Sequence, residues 1–138
     1  MQRIVQSPGR ERLDTNTPWE PRMGYSRAVR TGPTIHVAGC VGINADGTYP
    51  PGLDAQTRRC VERIADALGA FGATLADITR VRIYTTCIER WEEIASVMGP
   101  TFTDIRPANT LLGVSALVDP AALVEIEADA WLDPAMAR

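Results

Sequence analysis

Residues 54–86 read DAQTRRCVERIADALGAFGATLADITRVRIYTT, and the hydrophobic period changes partway along. In the first part Cys60, Val61, Ile64, Ala65, Leu68 and Phe71 recur at spacings of three and four. Those spacings place them on one stripe of an α-helix over 54–71. Arg58, Arg59, Glu62, Arg63 and Asp66 fall on the opposite face. Asp54 is the expected N-cap and Gly72 the expected stop. In the second part Val81, Ile83 and Thr85 alternate with Arg80, Arg82, Tyr84 and Thr86. That period of two belongs to a strand.

Toward the N-terminus, YSRAVRT at 25–31 and TIHVAGCVG at 34–42 flank Gly32-Pro33 and read as a hairpin. Tyr25, Arg27, Val29 and Thr31 would share one face of its first strand. NADGTYPPG at 44–52 is a loop turned by Asp46-Gly47. Toward the C-terminus, residues 89–99 form a second amphipathic helix with Trp91, Ile94, Ala95 and Met98 inward, which makes Trp91 a core residue. Residues 108–114 read as a strand. LVEIEADAW at 123–131 alternates strictly, with Val124, Ile126, Ala128 and Ala130 on one face and Glu125, Glu127, Asp129 and Trp131 on the other.

The order is hairpin, helix, strand, helix, strand, strand. It predicts an α+β fold: one mixed, antiparallel-rich β-sheet with two helices packed on one face. The other face carries Arg82, Tyr84, Glu125 and Glu127, too mixed for a core, and an interface between subunits is expected there. The 138 residues make a single domain with its core over about 20–132. The segments 1–19 and 133–138 are expected to be peripheral.

Composition narrows the chemistry. All 14 basic residues are arginine. Without lysine the chain has no Schiff-base amine, pyridoxal phosphate anchor or phosphate-loop lysine. A net charge of −3 argues against a general nucleic-acid binder. No apolar run approaches the ~18 residues of a membrane span. The opening MQRIVQSPGRERLD is too polar for a secretory signal, so the expected location is the cytoplasm. Three cysteines, an odd number, are no disulfide framework. One histidine, His36, cannot supply a multi-histidine metal site.

Six blocks in order, GYSRAVRTG, VAGCVG, DAQTRRCVERI, GATLADITRVRIYTT, RPANTLLGVSAL and LVEIEADAW, resemble the RidA/YjgF family of enamine/imine deaminases. The resemblance covers nearly all of residues 20–132. It implies a chorismate-mutase-like fold and a homotrimer with sheets facing inward and clefts between subunits. It also implies hydrolysis of reactive 2-imino or 2-amino-enoic acids to 2-keto acids and ammonia, with no metal or organic cofactor. Carried over residue by residue, Tyr25 matches the family's tyrosine, Gly39 the glycine closing the second strand, and Glu125 the first glutamate of the Glu-Ile-Glu-Ala segment. Glu125 is the expected water-positioning group and Tyr25 its catalytic partner. Gly39, Cys40, Asn109, Thr110 and Tyr84 are the expected substrate contacts.

One departure dominates. The family's substrate-binding arginine follows Pro-Ala, and here Pro107-Ala108 is followed by Asn109. Asparagine donates hydrogen bonds but carries no charge, and a charge-assisted bond is roughly twice as strong as a neutral one. Arg106 lies three residues earlier, so strand parity would point it to the opposite face. Arg82, Arg27 and Arg30 are the alternatives from other strands or subunits. Cys40 and Cys87 stand where the family often has Gln and Asp. These changes suggest the subgroup lacking the arginine, with a shifted substrate.

Each candidate also has a plainer reading. Alternating acids such as Glu125 and Glu127 are ordinarily exposed strand residues. Tyr25 fits a sheet aromatic, and Asn109 a strand-end hydrogen bonder. Cys40 is a tempting nucleophile, but four extended residues separate it from His36 by about 13 Å, and buried cysteine is usually inert. The leading expectation is an imine hydrolase. The rivals are a non-catalytic small-molecule-binding or interaction trimer and, weakly, an RNase.

Overall fold

The computed structural model describes residues 1–136; the last two residues of the 133–138 segment lie outside it. Seven strands form one sheet: β1 (Gln2–Ser7), β2 (Arg10–Asp14), β3 (Ala28–Thr31), β4 (Thr34–Val41), β5 (Ile78–Thr85), β6 (Ala108–Gly113) and β7 (Val124–Trp131). Their spatial order is β1-β2-β3-β4-β7-β5-β6. Neighbours run antiparallel except β5 and β6, which are parallel. A parallel pair needs a crossover, and α3 (Trp91–Phe102) supplies it. The other helices are α1 (Trp19–Met23) and α2 (Leu53–Gly69).

The α+β expectation holds, with α2 and α3 over one face of a mixed sheet. On β7, Val124, Ile126, Ala128 and Ala130 are all buried, while the acids between them are half-exposed. They meet Leu53, Cys60, Ile64 and Leu68 of α2 in one core cluster. Helix α2 starts after Gly52 rather than at Asp54, which lies in the first turn, where a carboxylate favours the helix dipole. Gly72 closes the helix end as expected. At φ +79° it lets Ala73 N–H donate to the Leu68 carbonyl (3.1 Å) and its own N–H to Gly69 (3.0 Å), a Schellman motif.

The N-terminal segment is not peripheral to the sheet. Residues 2–14 fold as a β1–β2 hairpin turned at Pro8-Gly9, and β2 pairs with β3. Leu13 is 1 % exposed and joins the core. Its neighbours are polar, so no alternation announces the strand; the Pro-Gly pair is the signal that does.

Trp91 is also not a core residue. It is 50 % exposed, and Ala95 is exposed too. The buried stripe of α3 is Ile94, Val97, Met98 and Phe102. Trp91 and Ala95 flank it and border a groove of about 340 Å³ between α3 and β6.

Candidate functional site

The site begins with a slip in the β4–β7 pairing. Val37 pairs with Ala128 and Cys40 with Ile126, so Ala38 and Gly39 together face Glu127. This is a β-bulge, one extra residue in one strand. It shifts the side-chain phase, so Val37 and Cys40 both point into the core. Cys40 was expected to contact substrate. The whole residue is instead buried, with its thiol turned into the core.

Past the bulge, Glu125 of β7 lies directly over Gly39. A Cβ at position 39 would sit 2.2 Å from Glu125 Oε1 and 2.9 Å from its Cδ. Only glycine leaves the carboxylate in this position. Glu125 is paired across the central strand with Val41 on one side and Tyr84 on the other.

Below the bulge lies Arg27, buried at 5 % exposure. Its Nη1 donates to the carbonyls of Gly39 (2.7 Å) and Ala38 (3.2 Å) and lies 3.3 Å from Cys40 Sγ. Its Nη2 reaches Tyr25 Oη at 3.4 Å, and the guanidinium stacks 5.7 Å from the Tyr25 ring centre. The bulge thus leaves carbonyls that Arg27 satisfies. Tyr25 is placed by the end of α1, where Gly24 at φ +68° turns the chain and Tyr25 N–H donates to the Glu20 carbonyl (3.0 Å). Glu20 in turn is buried and accepts from Thr15 N, Thr15 Oγ1 and Thr17 N, tying down the loop that leads in.

Burial raises the Glu125 carboxyl above its usual range; Arg27 opposes this, Glu127 adds to it and Arg63 opposes it. A carboxylate so desolvated is a stronger base than a solvated one, suited to proton exchange with a water or a substrate nitrogen.

The rest of the open face is a polar ladder across β4, β7 and β5. Tyr84 donates to Glu127 Oε1 (2.8 Å), Arg82 bonds Glu127 (3.5 Å) and Asp129 (3.3 Å), and His36 Nδ1 lies 2.7 Å from Asp129. Tyr84 lies across from Glu125 in register, yet its hydroxyl is bound to Glu127, which raises its own pKa. Tyr25, Ala38, His36 and Glu127 line a concave groove of about 1130 Å³ that runs along this face under the N-terminal hairpin.

Within one chain, therefore, Gly39 and Glu125 come together, Tyr25 is linked to them through Arg27, and Asn109 and Thr110 do not join them. Strand β6 is the far edge of the sheet. Thr110 lies beside Arg82 on the open face, whereas Asn109 lies beside Val81 and faces the α3 groove. Arg106 lines that same groove, contrary to the parity argument. It precedes β6 and has φ +54°, so strand alternation does not extend to it. Arg27, one of the arginines offered from other strands, is engaged by a bulge eleven residues on that nothing in its alternation reveals.

Among the described residues, no group of three or more His, Cys, Asp or Glu is placed to hold a metal ion, and no helix is long and apolar enough to cross a membrane.

Known proteins share this architecture. The crystal structure of Rv2704 from Mycobacterium tuberculosis, a member of the YjgF/YER057c/UK114 family, superposes with a TM-score of 0.83 at 46 % identity, over 89 % of this chain and 99 % of that one. A RutC family protein of Pyrococcus abyssi is 32 % identical, covering 78 % of this chain and 85 % of its own length. A 2-iminobutanoate/2-iminopropanoate deaminase of Dermatophagoides farinae is 28 % identical, covering 78 % and 85 %. The family model Endoribonuclease L-PSP matches residues 15–132. With that match spanning most of the chain, the chain belongs to the RidA/YjgF family.

Proposed function

We propose that this chain is an enamine/imine hydrolase of the cytoplasm, working as a homotrimer. The reaction adds water across C=N and expels ammonia, leaving a carbonyl product. Glu125 takes a proton from the attacking water and gives it to the nitrogen, then carries the proton of the new carbinolamine hydroxyl to the same nitrogen as the C–N bond breaks, so that ammonia leaves and no proton is gained or lost overall. Tyr25, next to the bulge, positions the nitrogen, and Thr110 supplies a polar contact from a neighbouring subunit's edge strand. The observation that carries this reading is the half-buried Glu125 carboxylate seated on Gly39, where any side chain would displace it. The deaminase named among its relatives supports it.

The substrate departs from a simple 2-imino acid, because position 109 offers an amide instead of a guanidinium. Arg106 lines the same groove as Asn109 and is the cation available to hold a carboxylate placed differently. The edge position of β6 and the central position of Glu125 support a cleft completed between subunits. The test is incubation of the purified protein with freshly generated 2-iminopropanoate and with neutral and larger imines. Acceleration that Glu125→Ala abolishes is expected; no acceleration of any imine overturns the reading.

The missing arginine also favours a second reading, a trimer that binds a small molecule without turning it over. Thermal-shift screening separates the two, since a binder is stabilised by a ligand it leaves unchanged. RNA cleavage is the weakest reading: the open face carries a ladder of Glu127 and Asp129 rather than an unpaired basic stripe.

A further inference from the structure

The water addition uses Glu125 and the room left by Gly39, and gives Arg27 no direct part. Yet Arg27 is among the few charged residues the fold buries. Burying a guanidinium is costly unless it is compensated. Its hydrogen-bond partners here are neutral: two carbonyls, a thiol and, at longer range, a phenol. Its Nε is buried with no partner at all. Among the described residues no carboxylate lies within ion-pair distance of it. The acid seated on Gly39, whose carbonyl Arg27 holds, is Glu125, and the Arg27 charge opposes the burial of its carboxyl.

The other groups facing Glu125 do not replace it. Arg63 of α2 opposes the burial effect less strongly than Arg27 does, and its Nη1 is committed to the Val41 carbonyl (2.7 Å). Glu127, from the same strand, is a like charge. Cys60 of α2 is buried and held neutral by desolvation. Tyr84 of β5 is bound to Glu127. Nor does Arg27 stand in for the arginine absent at 109. Its Nη1 is taken up by the bulge carbonyls, which leaves it poorly placed to fork onto a substrate carboxylate.

We propose that Arg27 is a positioning residue for Glu125: its guanidinium fixes the Ala38–Gly39 bulge that seats the carboxylate, and its charge keeps that carboxylate in the ionised form that accepts a proton from water. The second half of this function rests on the hydrolase reading, but the coupling of charges does not. Losing Arg27 leaves burial and Glu127 unopposed on that side, so Glu125 binds its proton more tightly.

The test needs no substrate. Protein labelled with 13C-glutamate has eight glutamate carboxyl signals, and the one missing in Glu125→Gln belongs to Glu125. Arg27→Gln is expected to make Glu125 bind its proton about tenfold more tightly, a rise of about one pH unit in midpoint. Arg27→Lys keeps the charge and returns the midpoint toward that of the wild type. Should Arg27→Gln not fold, the 15N signals of the Arg27 guanidinium in the wild type give the answer. They are expected to move at the pH where Glu125 titrates and to lose that step in Glu125→Gln. An unchanged Glu125 midpoint in Arg27→Gln, or guanidinium signals blind to the Glu125 titration, overturns the proposal. A failed imine assay beside a positive titration would overturn the hydrolase reading alone.

Discussion

Replacing Gly39 by alanine tests the seat of the carboxylate with the smallest perturbation available. The new methyl carbon would start 2.2 Å from Glu125 Oε1, 2.9 Å from Cδ and 3.1 Å from Cγ. Ordinary contact needs roughly 3.4–3.5 Å or more between such atoms, so the carboxylate must retreat by about 1 Å or more. It can do so cheaply, because the obstructed atoms are the far end of a flexible, half-exposed side chain. The expected loss of stability is therefore under about 1 kcal/mol. Catalysis has no such freedom: a misplacement of about 1 Å in a reacting group costs on the order of 100-fold in rate. Gly42→Ala is the matched control. There the methyl would meet the Gln56 backbone, 2.5 Å from its carbonyl oxygen and 2.7 Å from its Cα, where α2 crosses β4. That backbone cannot swing aside, so Gly42→Ala is expected to lose about 2 kcal/mol or more, as overpacked sites do. Urea melts and imine-hydrolysis rates on both variants read the two effects separately. Gly39→Ala retaining a Glu125-dependent rate within about threefold of the wild type would show that the carboxylate does not need this seat. Gly39→Ala proving the less stable of the two would show that the carboxylate does not retreat cheaply.

Three further outcomes follow from the same geometry. Glu125 titrates above its usual range because it is desolvated, so the folded protein holds that proton more tightly than the unfolded chain; stability from this group is full at acid pH and is lost as pH rises through the folded pKa. Glu125→Gln should accordingly be more stable than the wild type at pH 8, by on the order of 1 kcal/mol, and the advantage should vanish near pH 4 in urea melts; an advantage independent of pH would refute this. Arg106→Ala should lower kcat/KM for anionic imines about tenfold, the size of a lost charge-assisted bond, and leave neutral imines unchanged; equal losses on both would remove Arg106 from recognition. Thiol labelling of the native protein should modify the half-buried Cys87 first and reach Cys40 and Cys60 only on unfolding, since both are fully buried and burial pushes the Cys60 thiol up; rapid labelling of Cys40 would contradict the inward phase of the bulge.

Much of the fold could be read from the chain because most elements carry their own period. Strand β7 alternates without a fault from Val124 to Trp131, and the stripe of α2 recurs every three or four residues, so each announces its buried face. The β1–β2 hairpin does not, because Leu13 is its single buried apolar side chain and polar residues surround it. Trp91 misleads for the opposite reason: it extends an apolar stripe, but β6 is the last strand and leaves the flank of α3 uncovered. At the site, Glu125 and Gly39 could be placed from their motifs, whereas the phase of Cys40 could not. Alternation assumes one residue against one, and the bulge breaks that count between Val37 and Cys40. Arg106 escaped the parity argument in the same way, through a left-handed residue just ahead of the strand. Arg27 depends on both effects, since its partners exist only because the bulge frees two carbonyls.

The most direct measurement is the hydrolysis rate of a panel of freshly generated imines with the wild type, with Glu125→Gln and without protein. Acceleration of at least one imine by the wild type is expected, with a fall of about 100-fold or more in Glu125→Gln, the usual scale of general acid–base catalysis. Equal rates for the wild type and Glu125→Gln on every imine would contradict the hydrolase reading.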